Sequence, residues 1–298
     1  MYHLVYGFLY LLSLLHIRVL YVLSDGLFGL VYYVIGYRKE VVMHNLAIAF
    51  PDKSEAERVK IARQFYHNFI DNFIETIKMI SASDEYIYKR FTGNWEVVNE
   101  VYKTGRSCHL LLGHTFNWEW GNHSVSAHLH YTFLAVYMPI RSKLINRLFL
   151  ELRSKGKTVL LAATNMRKEM IPYRKTQYAL GLAADQNPGS TEKAFWANFF
   201  GRPAPFVTGP EKGARGQNLP VLFCYIEKRK RGFYHIIFSM GEENPKELPE
   251  GVLMVRFIRY LEEVIRMQPS MWLWSHKRWK HPWKEEYKHL WIDGKREM

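Results

Sequence analysis

The clearest hydrophobic pattern in the chain is a helical stripe in the segment that follows Ser54. Its apolar members recur three and four positions apart, at Ala62, Phe65, Tyr66, Phe69, Ile70, Phe73, Ile74 and Ile77. Ser54 and Glu57 form the Ser-x-x-Glu pattern of a capping box, which marks the first turn of a helix. The stripe therefore predicts a long amphipathic helix whose apolar face packs on a hydrophobic core.

Farther along the chain, short apolar runs alternate with helical patterns. The runs at 107–112, 132–138, 158–163, 177–184, 219–226 and 233–240 are predicted as strands. Helices are predicted at 94–105, 119–130, 142–156 and 251–267, with a brief one around Met166, and the basic residues 228–231 are predicted as a loop. Strands separated by helices are typical of an α/β fold, so we expect a mixed, largely parallel sheet flanked by helices.

The N-terminal segment is apolar almost throughout. It is apolar from Leu4 to Leu15, is interrupted by His16 and Arg18, and is apolar again through Leu23 and from Leu27 to Tyr37. No basic residue precedes the run and no small-residue cleavage site follows it, which argues against a secretory signal peptide. Because Arg18 interrupts the stretch, either one imperfect spanning helix or a pair of interfacial helices fits a membrane anchor. A helix buried in the body of the protein is the alternative.

The charge balance indicates an anionic partner. The chain of 298 residues carries 41 Lys and Arg against 28 Asp and Glu, a formal net charge of +13, and 48% of its residues are hydrophobic. A phosphorylated lipid, an acidic leaflet, an acidic carrier protein or a nucleic acid would each complement this charge. A generally basic, solvated surface is the alternative for any single cation.

The cysteines and clustered histidines do not predict a metal centre. Cys108 and Cys224, the only cysteines, lie inside apolar runs and are predicted as small core residues in a reducing compartment. His123, His128 and His130 have no cysteine or carboxylate at ligand spacing, so no metal site is predicted.

Candidate chemistry appears directly after the strand predicted at 107–112. There, the segment Gly113-His114-Thr115-Phe116-Asn117-Trp118-Glu119 places an imidazole and a carboxylate five positions apart. On one helix this spacing would turn the two side chains about 140° apart. They can cooperate if His114 lies in the loop and Glu119 lies in the first turn of the helix. An imidazole oriented by a carboxylate is a general base at neutral pH; a satisfied histidine–carboxylate pair without catalytic function is the alternative.

His114, four intervening residues and an acid resemble the first sequence block of the glycerolipid acyltransferase superfamily. The chain more specifically resembles the late acyltransferases of lipid A biosynthesis, over about residues 30 to 283. The matching segments, in the order and spacing of that family, are Arg38-Lys39-Glu40, Asn45-Leu46-Ala47-Ile48-Ala49-Phe50-Pro51, Val136-Tyr137-Met138-Pro139, Arg153-Ser154-Lys155, Ala184-Asp185-Gln186-Asn187, Phe199-Phe200-Gly201-Arg202-Pro203-Ala204 and Trp272-Leu273-Trp274-Ser275-His276-Lys277-Arg278-Trp279-Lys280.

The resemblance implies an O-acyltransferase that moves a fatty acyl chain from an acyl carrier protein thioester to a hydroxyl of a lipid A precursor. It implies action at the cytoplasmic face of the bacterial inner membrane, with the acylated carrier protein as donor substrate, an anionic glycolipid as acceptor and no cofactor. His114 would act as general base and Glu119 would orient it, without an acyl-enzyme. Residues 1–45 would form the membrane anchor with its connecting helices, and residues 46–298 the catalytic domain.

The resemblance also implies a set of substrate-binding residues. Arg153 is expected to bind a phosphate, and Asp185 a basic residue or a ligand hydroxyl. The full set is Arg153, Asp185, Gln186, Asn187, Arg202, Trp274, His276 and Arg278.

Other functions fit parts of the same pattern. Glu119 stands where the family often has aspartate, and Asn187 replaces what is often an acid, so the acceptor stays open between lipid A and another glycolipid or aminolipid. A thioesterase would use similar residues with water as the acceptor. A basic nucleic-acid-binding protein is a more remote alternative, since the chain contains no recognisable nucleic-acid module.

Overall fold

A computed structural model describes residues 1–294, and the strands within them form one large sheet and one hairpin. The strands are β1 (Phe91–Gly93), β2 (Cys108–Leu112), β3 (Thr132–Tyr137), β4 (Val159–Ala162), β5 (Tyr178–Ala183), β6 (Phe195–Phe199), β7 (Arg202–Phe206), β8 (Val221–Lys230) and β9 (Phe233–Glu242). The sheet has the order β1-β9-β8-β2-β5-β3-β4, and only the β8–β9 pair within it is antiparallel. The predicted mixed, largely parallel sheet is confirmed.

Helices precede the sheet and connect most of its strands. They are α1 (Tyr2–Leu14), α2 (Ile17–Gly29), α3 (Lys39–Ala49), α4 (Glu55–Lys78), α5 (Asp84–Tyr88), α6 (Trp95–Lys103), α7 (Trp118–His128), α8 (Lys143–Arg153), α9 (Met166–Glu169), α10 (Gly209–Gln217) and α11 (Val252–Met267). A π-helical segment, Leu30–Ile35, continues α2, and 3₁₀ turns cover Ala163–Asn165, Ile171–Tyr173 and Glu285–Leu290. The capping box of Ser54 and Glu57 is present at the start of α4, as predicted.

The sequence patterns missed several short elements and misjudged one loop. β1, the β6–β7 hairpin and α10 had no prediction. The predicted loop at 228–231 is wrong, because β8 continues to Lys230. Within β8, Lys228 Nζ lies 3.6 Å from an Asp71 oxygen and Arg229 Nη2 lies 2.8 Å from a Glu227 oxygen. Arg231, in the turn that follows, lies 2.6 Å from the other Asp71 oxygen.

The N-terminal helices pack on α4 through a polar network. The Tyr21 hydroxyl of α2 donates to Glu75 at 2.7 Å, and the Ser24 hydroxyl donates to Asp71 at 2.7 Å. Glu75 also accepts from Asn117 Nδ2, in the loop before α7, at 2.7 Å. One buried carboxylate therefore joins the N-terminal helices to the segment that follows β2.

The N-terminal helices also keep a broad apolar surface exposed. Ile17–Ile35 is long and apolar enough to cross a membrane, with a mean hydropathy of 1.4 over its most apolar window, and 28% of that window is buried in the protein. On α1, Leu4, Phe8 and Leu11 are exposed. Length and composition fit a spanning helix or an interfacial pair equally, so the form of the anchor stays a prediction. Cys108 and Cys224 are both free and buried, as predicted.

Candidate active site

The register of two neighbouring strands brings His114 to Asp185. In the parallel pair β2–β5, Leu112 stands opposite Ala183. His114 and Asp185 each lie two residues beyond these partners, where the chain leaves the sheet. The carboxyl ends of parallel strands meet at the same edge, which is where α/β proteins bind their ligands. The two turns therefore converge at this edge.

His114 and Asp185 form a tight, directed pair. His114 Nδ1 lies 2.6 Å from Asp185 Oδ1, and the His114 backbone N–H donates to Asp185 Oδ2 at 2.8 Å. Trp272 Nε1–H donates to the same Oδ2 at 2.7 Å. Because the carboxylate accepts at Nδ1, that nitrogen carries the hydrogen and Nε2 is free to accept a proton. The ring is 27% exposed and the carboxylate 1%, so the reactive nitrogen belongs to the accessible member of the pair.

The electrostatics of the pair favour a charged imidazolium beside a charged carboxylate. Burial alone would raise the pKa of Asp185, but the charge of His114 and the three hydrogen bonds lower it to about 2. Burial alone would lower the pKa of His114, but the charge and hydrogen bond of Asp185 outweigh burial and raise it. The carboxylate therefore strengthens the ring as a base and stabilises it after it takes a proton.

A glycine allows the two turns to approach each other. A Cβ built on Gly113 would lie 3.3 Å from Asp185 Oδ2 and 2.6 Å from Leu261 Cδ1. The second distance is shorter than real Cβ contacts, so a larger residue would require the end of the Leu261 side chain, on α11, to shift. Gly113 thus leaves room for the close packing that seats the backbone N–H of His114 on Asp185.

The prediction that Glu119 orients the His114 ring is wrong, because Asp185 occupies that place. Glu119 lies in the first turn of α7, where its buried carboxylate binds Arg153 of α8. Arg153 Nε donates to Oε2 at 2.9 Å and Nη2 donates to Oε1 at 2.6 Å, a bidentate geometry. Trp118 Nε1 donates to Oε1 at 3.1 Å. Arg153, predicted to bind a substrate phosphate, therefore has its charge balanced by Glu119.

We expect Arg153→Ala to destabilise the fold by about 3–5 kcal/mol, because it leaves the Glu119 charge buried without its partner. Thermal and denaturant unfolding of the variant would measure the loss. The double variant Arg153→Met, Glu119→Gln removes both charges and should recover most of the stability. Equal instability of the single and double variants would contradict the charge-pair explanation.

The dyad opens onto an apolar cavity of about 340 Å³. His114, Glu119 and Arg153 form its polar end. Most of the rest of its wall comes from the sheet and α7, and includes Leu110, Val125, Phe133, Ala135, Gly181 and Ile226. A chamber with one polar end and apolar walls suits an extended apolar ligand whose reactive group stays at His114.

The predicted residues Gln186, Asn187 and His276 lie beside the dyad. All three are partly buried. Asn187 is held at three atoms: its backbone N–H donates to His276 Nε2 at 3.3 Å, its Nδ2 donates to the Lys277 carbonyl at 2.8 Å, and its Oδ1 accepts from Arg278 Nη1 at 3.0 Å. Burial and the charge of Arg278 lower the pKa of His276 to about 4, so this ring is neutral and can accept. These contacts fix the turn that carries Asp185.

Three other predicted substrate contacts lie elsewhere. Trp274 and Arg278 are both 0% exposed, so neither can reach a substrate in this structure, and the prediction for them is wrong. Trp274 Nε1 donates to the Pro269 carbonyl at 2.6 Å, and the Arg278 guanidinium lies 4.1 Å from the centre of the Phe206 ring. Arg202 is exposed on β7 and does not line the cavity. The buried basic and aromatic residues of this segment therefore pack inside the protein and hold neighbouring loops in place.

The sequence did not predict that Met271, Trp272 and Leu273 contribute to the site. Besides the Trp272 bond to Asp185, the Phe116 N–H donates to the Met271 carbonyl at 3.2 Å and the Leu273 N–H donates to the His114 carbonyl at 3.1 Å. The segment thus pairs with the loop that carries His114. The only sequence signal was that Trp272 lies in a stretch where aromatic and basic residues alternate. That pattern is typical of a lipid headgroup contact, whereas Trp272 in fact donates a hydrogen bond to the Asp185 carboxylate.

Comparison with known proteins identifies the family. The model of the bacterial lipid A biosynthesis acyltransferases matches residues 1–281. The chain belongs to this family. It is also 26% identical, over 279 residues, to the lipid A biosynthesis lauroyltransferase of Escherichia coli strain K12. That alignment covers 92% of this chain and 89% of the lauroyltransferase. The predicted resemblance is confirmed, and the site at the sheet edge is that of a member of an acyltransferase family.

The geometry of the site is compatible with acyl transfer. The His114–Asp185 pair has the chemistry of a general base, and the apolar cavity has room for an acyl chain.

Proposed function

We propose that this protein transfers a fatty acyl chain from an acyl carrier protein thioester to a hydroxyl group of a lipid A precursor. The observation that carries the proposal is the His114–Asp185 pair at 2.6 Å, at the polar end of an apolar cavity. The family match supports acyl transfer to lipid A, and the basic charge of +13 suits both an acidic carrier protein and a phosphorylated acceptor.

The chemistry follows from the free Nε2 of His114. This nitrogen takes the proton of the acceptor hydroxyl while the oxygen attacks the thioester carbonyl carbon. The carbon–sulfur bond breaks, and the imidazolium returns the proton to the departing sulfur. Asp185 stabilises the imidazolium between the two transfers without itself becoming protonated, as expected for a carboxylate whose pKa is lowered to about 2. No residue of the chain becomes acylated.

We place the reaction at the cytoplasmic face of the bacterial inner membrane. Support comes from the exposed apolar surface of the N-terminal helices and from Arg38 and Lys39, which follow them. Basic residues beside an apolar segment favour the cytoplasmic side. A lipid acceptor would then reach the site without leaving the bilayer.

Incubation of the purified protein with acyl carrier protein thioester and lipid A precursor tests this function. Mass spectrometry should show one added ester-linked chain on the precursor and free carrier-protein thiol in equal amount. Release of free fatty acid without acceptor would indicate a thioesterase. Acylation of another glycolipid or an aminolipid, but not of the lipid A precursor, would indicate a different acceptor.

The apolar cavity gives a prediction about chain length. Ala135→Leu adds three carbons to a wall of the cavity, so the variant should prefer an acyl chain shorter by two or more carbons, with about a tenfold loss on the original donor. Competition between donors of different length would measure the preference. Ala127→Leu makes the same change on an exposed face of α7 and should leave it unaltered.

A further inference from the structure

The mouth of the cavity has an exposed apolar rim. Met138 is 65% exposed, Ile140 is 38% exposed and Ile145 is 36% exposed. Met138 and Ile140 also line the cavity that contains His114. Large apolar side chains grouped at the mouth of a site, and still open to solvent, indicate a surface that another apolar body covers. We call these three residues the apolar rim.

Unpaired cations stand among and beside the rim residues. Arg141 and Lys143 lie between Ile140 and Ile145, and both are exposed. Within residues 1–294, neither forms an ion pair with a carboxylate. Their charge is therefore available to an anionic surface outside the protein.

A second group of cations continues this surface along the edge of the sheet. β4 is the strand next to β3, with Ala162 opposite Tyr137, so the turn after β4 lies beside the rim. A surface depression there is lined by Arg167, Lys168 and Arg174, together with Ile171, which is 55% exposed. Exposed apolar and basic side chains thus occur together at the rim and at the neighbouring turn after β4.

The rim is continuous with the N-terminal helices through α8. Ile145 lies in the first turn of α8, and farther along this helix the buried Leu148 and Leu152 pack with Tyr2 and Tyr6 of α1. The hydroxyl of Tyr2 is hydrogen-bonded to Glu151. α8 therefore extends from the exposed apolar surface of α1 to the mouth of the cavity.

We propose that the apolar rim and its cations form a second membrane contact, which rests on an anionic leaflet and lets the acceptor lipid enter the cavity sideways from the bilayer. The apolar side chains reach below the headgroups while the cations meet lipid phosphates. This inference rests on the proposed function for its acceptor, but the contact itself does not depend on catalysis. An acidic protein partner would explain the cations and would leave the exposed Met138 and Ile140 unexplained.

A fluorophore at the rim tests the contact. Ile140→Cys in the full chain can be labelled with an environment-sensitive dye, because Cys108 is 0% exposed and Cys224 is 2% exposed. The matched control is Glu247→Cys, in the exposed loop that follows β9. β9 runs antiparallel to β8, with Glu242 opposite Val221, so that loop lies at the opposite edge of the sheet.

In vesicles of phosphatidylglycerol and phosphatidylethanolamine, the dye at 140 should shift to the blue and be quenched by nitroxide-labelled lipids, and the dye at 247 should do neither. Emission typical of water at both positions would overturn the proposal. Equal quenching at 140 in phosphatidylcholine vesicles would overturn the part assigned to the cations. A response at 140 to an acidic carrier protein, without lipid quenching, would show that a protein occupies the rim instead.

Reversing the charge of the rim cations tests the same contact through enzyme kinetics. Arg141→Glu with Lys143→Glu should raise the KM for a vesicle-embedded acceptor by roughly tenfold or more, and should change the KM for a detergent-dispersed acceptor by less than about twofold. Lys246→Glu, in the loop at the far edge, is the control. Equal effects in both media would overturn the proposal. If no acyl transfer occurs in either medium, the proposed function fails while the fluorescence result still decides the contact.

Discussion

His114→Ala will lower kcat for acyl transfer by at least about a thousandfold, because it removes the nitrogen that we propose takes the acceptor proton. The ring lines the cavity with Nδ1 committed to Asp185, and it is the only imidazole among the residues of 1–294 that line this cavity. The measurement is a single-turnover assay with acyl carrier protein thioester and lipid acceptor. The variant should keep its fold, since the ring is partly exposed.

The control for this change is His44→Ala, on the exposed side of α3. It should leave kcat within about twofold of the parent, as expected for a surface substitution away from the site. A folded His114→Ala protein with unchanged kcat would refute the proposed mechanism, whatever the identity of the acceptor.

Asp185→Asn will lower kcat by roughly a hundredfold to ten-thousandfold while leaving the acceptor KM nearly unchanged. The amide can hold the ring in place, but it cannot stabilise the imidazolium and it can favour the wrong tautomer. The matched control is Asp84→Asn, since Asp84 binds His123 Nε2 at 2.9 Å away from the cavity. Equal losses in the two variants would mean that the Asp185 effect is structural and not catalytic.

The pH profile should separate these roles further. The base works only as neutral imidazole, so kcat/KM should rise with pH through the His114 pKa, which Asp185 raises above its ordinary value. Asp185→Asn removes the raising influence and leaves burial, which lowers the pKa. The rising limb should therefore move to lower pH while the plateau falls. A limb that stays in place would contradict the pairing.

The sheet edge could be foreseen from the sequence because its signals are local. The apolar run before Gly113 and the one before Asp185 each predicted a strand that ends at a polar turn, and parallel strands bring such turns together. The strand neighbours themselves depend on contacts between distant segments, so the β2–β5 register could not be read from spacing. That register decides which carboxylate meets the imidazole.

The prediction for Glu119 was wrong for the same reason, because contacts between distant segments cannot be read from spacing along the chain. Its distance from His114 along the chain is short, but its partner Arg153 comes from a helix 34 residues later. Trp274 and Arg278 were predicted to bind substrate because tryptophan and arginine are common at lipid interfaces. Here Arg278 reaches Asn187 and the Pro205 carbonyl inside the protein, a use that sequence patterns do not distinguish.

The network around Glu75 bears on how this protein can be handled. Tyr21 of α2 and Asn117 of the loop before α7 share that one buried carboxylate, and Ser24 and Asp25 of α2 meet Asp71 and Arg231. Deleting the N-terminal helices would remove hydrogen-bond donors from the buried carboxylates of Asp71 and Glu75, which have no solvent to replace them. The helices form one wall of the folded unit, so purifying the entire chain is the route that preserves the loop carrying His114.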